Sequence, residues 1–229
     1  MSATFHQPGY DHLVELVHQR DRAARRRLAS LDVAAYDPEG KMLAALPVDT
    51  GQEILDLDAL LAGHTAAHPR VMVLFDARYD EAAFGYRPHH YGFLHRRGEP
   101  GPPLYYAVSG ALGGVPDRIE AASRLNNFET YLFRRRPFAG TCSVMLGNLS
   151  RFADAEAQVI SYHGAGRTAR TVTVPPKAHV EVALAAERDG ARLRQVEVKA
   201  LFRLASYVVG RRAGTGALQL FDHMFTYFK

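Results

Sequence analysis

Residues 30–46, SLDVAAYDPEGKMLAAL, have the pattern of a β-hairpin. Apolar residues lie on both sides of Asp37-Pro38-Glu39-Gly40, a turn in which proline fixes the backbone and glycine accepts a positive φ. Segments that flank such a turn pair as antiparallel strands. The sequence around this turn therefore predicts a mainly β protein.

The same outline returns in the second half of the chain. Residues 162–167 resemble residues 36–41, because each stretch has a tyrosine, a tight turn, a glycine and a cation. Further along, residues 53–57 match 179–184, and residues 71–75 match 196–202. Repetition on this scale indicates a duplication, and many short strands between frequent turns indicate β-sandwiches. We expect two similar antiparallel β-sandwich units in tandem.

A helix is predicted ahead of these units. Residues 10–31 place apolar side chains at helical spacing, with polar side chains on the other side, and His12 and His18 then lie on the helix surface. The expected organisation is an N-terminal amphipathic α-helix over residues 1–30, a first sandwich unit over 31–98, a Gly/Pro-rich connection over 99–125 and a second sandwich unit over 126–229.

Composition limits the classes of protein to which the chain can belong. It has no apolar run of the roughly 18–20 residues that a membrane helix needs, and its first residues lack the order of a secretory signal. We therefore expect a cytoplasmic protein. The single cysteine, Cys142, excludes an internal disulfide and lies in a strand-like segment, which predicts a buried apolar side chain.

The net charge of +4 comes from clusters of arginine at residues 20–27, 96–97, 134–136 and 211–212. Such clusters can bind nucleic acid or an anionic membrane, which gives one alternative function. No recognised nucleic-acid motif accompanies them.

The segment GYRPHHYGFLHRR, residues 85–97, is the densest group of functional side chains. Its pattern His89-x-Tyr91-x-Phe93 is repeated as Asn127-x-Glu129-x-Tyr131 and His223-x-Phe225-x-Tyr227, and we predict that the three are equivalent strands. Aromatic faces beside histidine, amide and arginine donors can hold a sugar, a small anion or a peptide edge. The predicted ligand-binding residues are Tyr86, Arg87, His89, His90, Tyr91, His95, Asn127, Glu129, Tyr131, His223 and Tyr227, with Phe93, Tyr105 and Tyr106 adding to the groove and Arg96 and Arg97 to an anion clamp.

A metal-dependent enzyme of hydrolase or lyase type is the other alternative. Alternation on a strand prevents His89, His90 and His95 from binding one ion together, so carboxylates would have to complete the site. The candidate ligands for a divalent metal are His89, His90, Glu129, Asp222 and His223. The serines lack a nucleophile-elbow motif, and no other catalytic motif is present.

Several elements of the second half resemble the sensory rhodopsin transducer family. They are residues 141–148, 154–155, 160–162, 166–167, 173–175 and 179–180, within a match that covers residues 138–228. The resemblance implies an oligomeric antiparallel sandwich that binds or signals. Together these observations predict a non-catalytic cytoplasmic binding or adaptor protein that forms homo-oligomers and takes a small ligand or a protein partner.

Overall fold

The computed structural model describes residues 1–16, 28–64, 68, 70–80, 90–110, 127–133, 140–164 and 166–226. The chain is mainly β, as predicted, and all of its strand pairs are antiparallel in the part described. It divides into two compact units, unit 1 over residues 1–112 and unit 2 over residues 113–229. No helix within these ranges is both long and apolar enough to cross a membrane.

Unit 1 contains two sheets and one short helix in its described residues. Its elements are β1 (Ser2–His6), β2 (Tyr10–Glu15), β3 (Leu28–Tyr36), β4 (Met42–Val48), β5 (Ile54–Asp56), α1 (Leu57–Leu61), β6 (Val71–Tyr79), β7 (Tyr91–Arg96), β8 (Leu104–Ala107) and β9 (Ser109–Gly110). The five-stranded sheet has the order β4-β3-β6-β1-β9, and the four-stranded sheet has the order β5-β2-β7-β8.

Unit 2 also contains two sheets. Its strands are β10 (Asn127–Leu132), β11 (Gly140–Gly147), β12 (Ala155–His163), β13 (Gly166–Val174), β14 (His179–Leu184), β15 (Glu187–Arg188), β16 (Ala191–Ala200), β17 (Ala205–Arg212), β18 (Leu218–His223) and β19 (Phe225–Thr226). One sheet has the order β13-β12-β16-β10-β19, with β15 beside β16, and the other has the order β14-β11-β17-β18. Buried side chains from both sheets, such as Val144, Val159 and Val196, form one apolar core.

The two units have the same topology. If β15 is set aside, the strands of unit 2 taken in chain order pair in the same way as those of unit 1, so β1 corresponds to β10, β2 to β11, and so on to β9 and β19. The equivalence of residues 53–57 with 179–184, and of 71–75 with 196–202, agrees with this correspondence, since those stretches form β5 and β14, and β6 and β16.

The hairpin predicted around residues 37–40 is present between β3 and β4. The Asp37 side chain accepts hydrogen bonds from the amides of Glu39 and Lys41 at 3.1 and 2.8 Å, and the amide of Gly40 donates to the Asp37 carbonyl. Gly40 has a φ of 88°, which explains the glycine at this position. Aspartate thus stabilises the turn through its side chain as well as through its backbone.

The predicted N-terminal helix is wrong where the structure describes it. Residues 10–15 form β2 and residues 28–31 begin β3, while residues 17–27, including His18, lie outside the described residues. In β2 the side chains of Tyr10, His12 and Val14 are buried, and Leu13 is 37% exposed. The short apolar pattern around Leu13 and Val14 is compatible with a helix and with a strand. Pairing with neighbouring strands makes this segment a strand.

The three segments with the polar-x-aromatic-x-aromatic pattern are not equivalent strands. They contribute to β7, to β10, and to β18 with β19, and the counterparts of β7 and β10 are β17 and β1. Side chains alternate between two faces on every half-buried strand. A shared alternating pattern therefore does not show that two strands occupy equivalent positions in a fold.

Candidate functional site

The four-stranded sheet of unit 1 carries functional side chains on both of its faces. Leu13 pairs with Phe93 and Phe93 with Tyr105, so these three residues form a row across β2, β7 and β8. Ile54, Glu15, Tyr91 and Ala107 form the next row. Because neighbours in register point to the same side, both rows lie on the face that points away from the interior of unit 1.

We call Leu13, Ile54, Tyr91, Phe93 and Tyr105 the aromatic face. Tyr105 is 58% exposed, Ile54 is 54% exposed and Leu13 is 37% exposed. The ring of Tyr105 stacks on Tyr91 with centroids 5.2 Å apart and an interplanar angle of 19°, and it meets Phe93 at 5.3 Å and 56°. The aromatic face is therefore an ordered group of rings that remains open to solvent.

One end of the aromatic face is bordered by ion pairs. Arg97 Nε donates to Asp11 Oδ1 at 2.9 Å, and His95 Nδ1 lies 3.7 Å from Asp11 Oδ2. Arg96 Nη1 lies 2.7 Å from Glu99 Oε1. These exposed pairs each contribute little to stability, but they give the rim a polar and charged character.

The opposite face of the same sheet carries a buried network, which we define as Thr4, His6, His12, Asp58 and Tyr106. The hydroxyl of Tyr106 is hydrogen bonded to Thr4 Oγ1 at 2.8 Å and to His12 Nε2 at 2.5 Å. Thr4 belongs to the five-stranded sheet, while His12 and Tyr106 belong to the four-stranded sheet. The network therefore connects the two sheets of unit 1 through their interior.

Asp58 closes the network at its outer end. It lies in the first turn of α1, which begins because the Asp56 side chain accepts hydrogen bonds from the amides of Asp58 and Ala59. Asp58 Oδ2 accepts from the amide of His12 at 2.9 Å, and Oδ1 lies 2.9 Å from His6 Nε2 and 2.7 Å from Arg97 Nη2. Arg97 thus joins the buried network to the rim of the aromatic face.

Gly92 on β7 makes room for the tyrosine of the network. Gly92 is the register partner of Tyr106, and a Cβ at this glycine would lie 2.0 Å from Tyr106 Cζ. The ring therefore lies directly over the glycine and crosses β7 to reach His12 on β2. Any side chain at position 92 would displace it.

Burial determines the charge states in the network. Burial, together with the nearby His6, lowers the pKa of His12 to about 3, against the opposing effect of Asp58. Burial alone would raise the pKa of Asp58, but hydrogen bonds from His6, the His12 amide and Arg97 outweigh it, so the pKa of Asp58 is lowered. At neutral pH the network holds a neutral His12 beside an ionised Asp58.

The network has no arrangement that would hold a metal ion. In the described ranges of the chain, no group of three or more histidine, cysteine, aspartate or glutamate side chains is placed to bind one. The Nδ1 atoms of His6 and His12 are buried, and neither has a hydrogen-bond partner among the residues that the structure describes. The rings stack 5.9 Å apart with an interplanar angle of 22°, so they pack against each other.

The predicted site residues of unit 1 lie on different faces. Tyr91 and His95 share the outer face, as alternation on a strand requires. His90 is buried, with its ring 5.8 Å from Phe75, so it does not belong to the same surface. The remaining candidates of this segment, Tyr86, Arg87 and His89, lie outside the described residues.

The candidates in unit 2 take part in separate contacts. Glu129, 1% exposed, forms an ion pair with Arg203, 6% exposed, at 3.4 Å. His223 Nδ1 lies 3.3 Å from Asp222 Oδ1, and its ring packs against Phe225 at 4.6 Å. Asn127 is the first residue of β10, and Tyr227 lies outside the described residues.

Tyr131 occupies the place in unit 2 that Thr4 occupies in unit 1. Tyr36 and Tyr162 precede matching hairpins, and the residue before each of them pairs with Val73 on β6 and with Val196 on β16. Val73 and Val196 therefore correspond. Thr4 pairs with Val73, and Tyr131 pairs with Val196. Burial, with smaller contributions from Asp222 and Cys142, raises the pKa of Tyr131 to about 12. Asp222 and Cys142 lie on β18 and β11, the counterparts of the strands that carry Tyr106 and His12. Both units therefore place polar groups at the same interior position.

Sequence reasoning missed the buried network because its members are far apart in the chain. Thr4 and Tyr106 are separated by 102 positions, and His12 and Tyr106 by 94. The available signal was the alternation in residues 10–15, YDHLVE, which places His12 on the same side as Tyr10 and Val14. A histidine among inward-facing residues of a strand indicates a buried polar contact.

The arginine clusters are partly neutralised. Arg97 pairs with Asp11 and Asp58, and Arg211 pairs with Glu181 at 2.8 Å. The clusters at residues 20–27 and 134–136 lie outside the described residues. The arginines at 97 and 211 thus have carboxylate partners within the chain.

Comparison with known proteins adds no relative to this description. No protein-family model matches the chain, and no curated protein or solved structure gives a significant match.

Proposed function

We propose that this chain is a non-catalytic binding or adaptor protein that docks a protein partner on the aromatic face of unit 1. The observation that carries the proposal is a stacked pair of tyrosine rings with Phe93 tilted against it, in which Tyr105 is exposed beside two exposed aliphatic side chains. Tyrosine and phenylalanine supply a large contact area at little cost in side-chain entropy, and they are enriched in protein interfaces.

The ring geometry favours a protein partner over a sugar. A sugar stacks on an uncovered ring face, and the ring of Tyr105 already has Tyr91 stacked against it at 5.2 Å and Phe93 tilted against it at 5.3 Å. The two tyrosines add hydroxyl groups, and the aliphatic side chains of Leu13 and Ile54 lie on the same face. An apolar surface with hydroxyl groups and a charged rim is the composition of a protein interface.

The counterpart face of unit 2 supports this interpretation. Tyr207 on β17 and Phe221 on β18 stack 4.8 Å apart, on the side of their sheet that points away from the unit 2 core. Both are buried, with exposures of 0% and 2%. In the corresponding pair of unit 1, Tyr105 is exposed, so that side chain is available to a partner.

The wider proposal is that each unit is an antiparallel β-sandwich, and that the tandem pair acts as a cytoplasmic adaptor that forms homo-oligomers. The two sheets of each unit share one interior, which supports the sandwich architecture. The resemblance of residues 138–228 to the sensory rhodopsin transducer family points to the same class of binding role.

Photo-cross-linking tests the docking surface. A photoreactive residue is introduced at position 105, or at exposed Phe152 of unit 2 as a control, and unlabelled competitor is added in excess. We expect position 105 to cross-link a discrete protein, and wild-type competitor, but not the Phe93→Ser/Tyr105→Ser variant, to suppress the product. Equal labelling from both positions, or suppression by the double variant, contradicts the proposal. A saccharide that binds the wild type and not the variant would favour the sugar alternative.

A further inference from the structure

Strand β13 forms an open edge of its sheet. It is the first strand in the order β13-β12-β16-β10-β19, and among the described strands it pairs only with β12, in nine consecutive register pairs without a shift. Across residues 166–173, the backbone makes no hydrogen bond to any strand other than β12 in the part of the chain that the structure describes. Amide and carbonyl groups on the outer side of β13 are therefore available to another strand.

The composition of β13 does not close this edge. Its residues, GRTARTVTV, include threonine and valine, which favour strands, and no proline or acidic residue. The corresponding edge strand of unit 1, β4, carries Pro47, and its pairing with β3 shifts register between Ala35 and Tyr36. Proline removes an amide donor, and a bulge twists the edge away, so unit 1 blocks the edge that unit 2 leaves open.

The charge on β13 selects the kind of strand that fits. Arg167 and Arg170 are exposed, and neither forms an ion pair with a carboxylate in the described residues; the Arg167 side chain is hydrogen bonded to the hydroxyl of Tyr162. Three positions separate them, so they lean toward opposite faces of the sheet. A second copy of β13, paired antiparallel with residue 167 opposite residue 170, would bring arginines against each other, which disfavours that pairing. An incoming strand with acidic residues three positions apart would place one carboxylate beside each arginine.

We propose that β13 is a second binding surface, which adds an acidic extended peptide of another protein to the sheet by backbone pairing. The main-chain hydrogen bonds supply binding, and the two arginines supply selection by charge. This surface lies in unit 2 and is separate from the aromatic face of unit 1, so either can fail without the other.

Fluorescence anisotropy tests the proposal with a labelled peptide of sequence Val-Glu-Val-Thr-Glu-Val, and with the same peptide carrying lysine in place of glutamate. We expect saturable binding of the acidic peptide and about tenfold weaker binding of the lysine peptide, since two charge contacts together are worth about 1.4 kcal/mol. The Arg167→Glu/Arg170→Glu variant should reverse this preference. Arg151→Glu/Arg188→Glu makes the same change in net charge away from β13 and should leave the preference unchanged.

Two methylated peptides show whether backbone pairing is involved. In an extended peptide, the amides of alternate residues point to the same edge. One peptide is N-methylated at the residues whose amides face β13, which blocks pairing, and the other is N-methylated at the remaining residues, which leaves that edge intact. We expect only one of the two to bind. Equal binding of both methylated peptides, or no saturable binding of the acidic peptide at millimolar concentration, would overturn the proposal. The Phe93→Ser/Tyr105→Ser variant should bind the acidic peptide normally, which separates this test from that of the aromatic face.

Discussion

Replacing His12 with asparagine should remove a pH dependence of stability that this buried histidine imposes. His12 is fully buried, and its pKa is lowered from 6.5 to about 3, chiefly by burial. Asparagine does not titrate, and its shorter side chain does not reach the Tyr106 hydroxyl, to which His12 Nε2 is hydrogen bonded. The variant therefore removes the titration and the contact together, and a series of pH values separates the two effects.

The sign follows from which state binds more protons. Between pH 6.5 and about 3 the unfolded chain protonates His12 and the folded chain does not. The stability linked to His12 is fully present above pH 6.5 and is lost as the pH falls, by about 1.4 kcal/mol per pH unit. The whole window amounts to roughly 5 kcal/mol, which is comparable with the total stability of many domains. Asp58, whose pKa is lowered from 3.8, begins to lose its contribution only below pH 3.8, so the upper part of the window reports His12 alone of the two.

Urea unfolding at a series of pH values measures the effect, followed by circular dichroism because the chain has no tryptophan. At neutral pH the variant should be less stable by about 1–3 kcal/mol, since the network loses a well-placed ring nitrogen. That difference should shrink by about 2.7 kcal/mol over two pH units below 6.5. Exposed Gln52, replaced by asparagine, is a control that changes no titratable group and should give a curve parallel to the wild type. A constant difference between the His12 variant and the wild type across this range would refute the reasoning.

Three further predictions concern other parts of the two units. Gly92→Ala should destabilise the protein by about 1–3 kcal/mol because a Cβ there meets a tyrosine ring at 2.0 Å, whereas Gly110→Ala, with nothing within 4 Å, should change stability by less than about 1 kcal/mol in thermal unfolding. Removing one partner of the buried Glu129 and Arg203 pair should cost about 3–5 kcal/mol, and replacing both with apolar residues should cost less; a double-mutant cycle with no coupling contradicts this. Cys142, whose pKa burial raises to about 12, should resist iodoacetamide in native protein and react in urea, and rapid native labelling contradicts this.

The sequence predicts those turns and helix ends that depend only on neighbouring residues. The turn at residues 37–40 forms because aspartate, proline and glycine each satisfy a requirement of the turn itself. The short helix α1 likewise begins at Asp56, whose side chain caps it. By contrast, residues 10–15 fit two periods, and only pairing with β5 and β7 makes them a strand.

The sequence could predict the aromatic side chains of the candidate site but not how they are divided between surface and interior. Tyr105 and Tyr106 are adjacent, and alternation places the first in the aromatic face and the second in the buried network. Nothing in the local sequence states which of the two faces is covered. The partners of Tyr106 come from β1 and β2, so its position depends on the packing of two sheets.

The two units share a topology, but the side chains at corresponding positions differ. In unit 1 the interior position is filled by Thr4, His12 and Tyr106, with the Tyr106 hydroxyl hydrogen bonded to the other two, and the sheet that carries His12 and Tyr106 exposes Tyr105 on its other side. In unit 2 the counterpart of Thr4 is Tyr131, near Cys142 and Asp222, and the counterpart rings are buried. At the edge strands the difference is reversed. Pro47 blocks the edge in unit 1, whereas the edge in unit 2 is open and carries two arginines. The proposed adaptor role would use one surface of each unit, the aromatic face of unit 1 and the edge strand of unit 2.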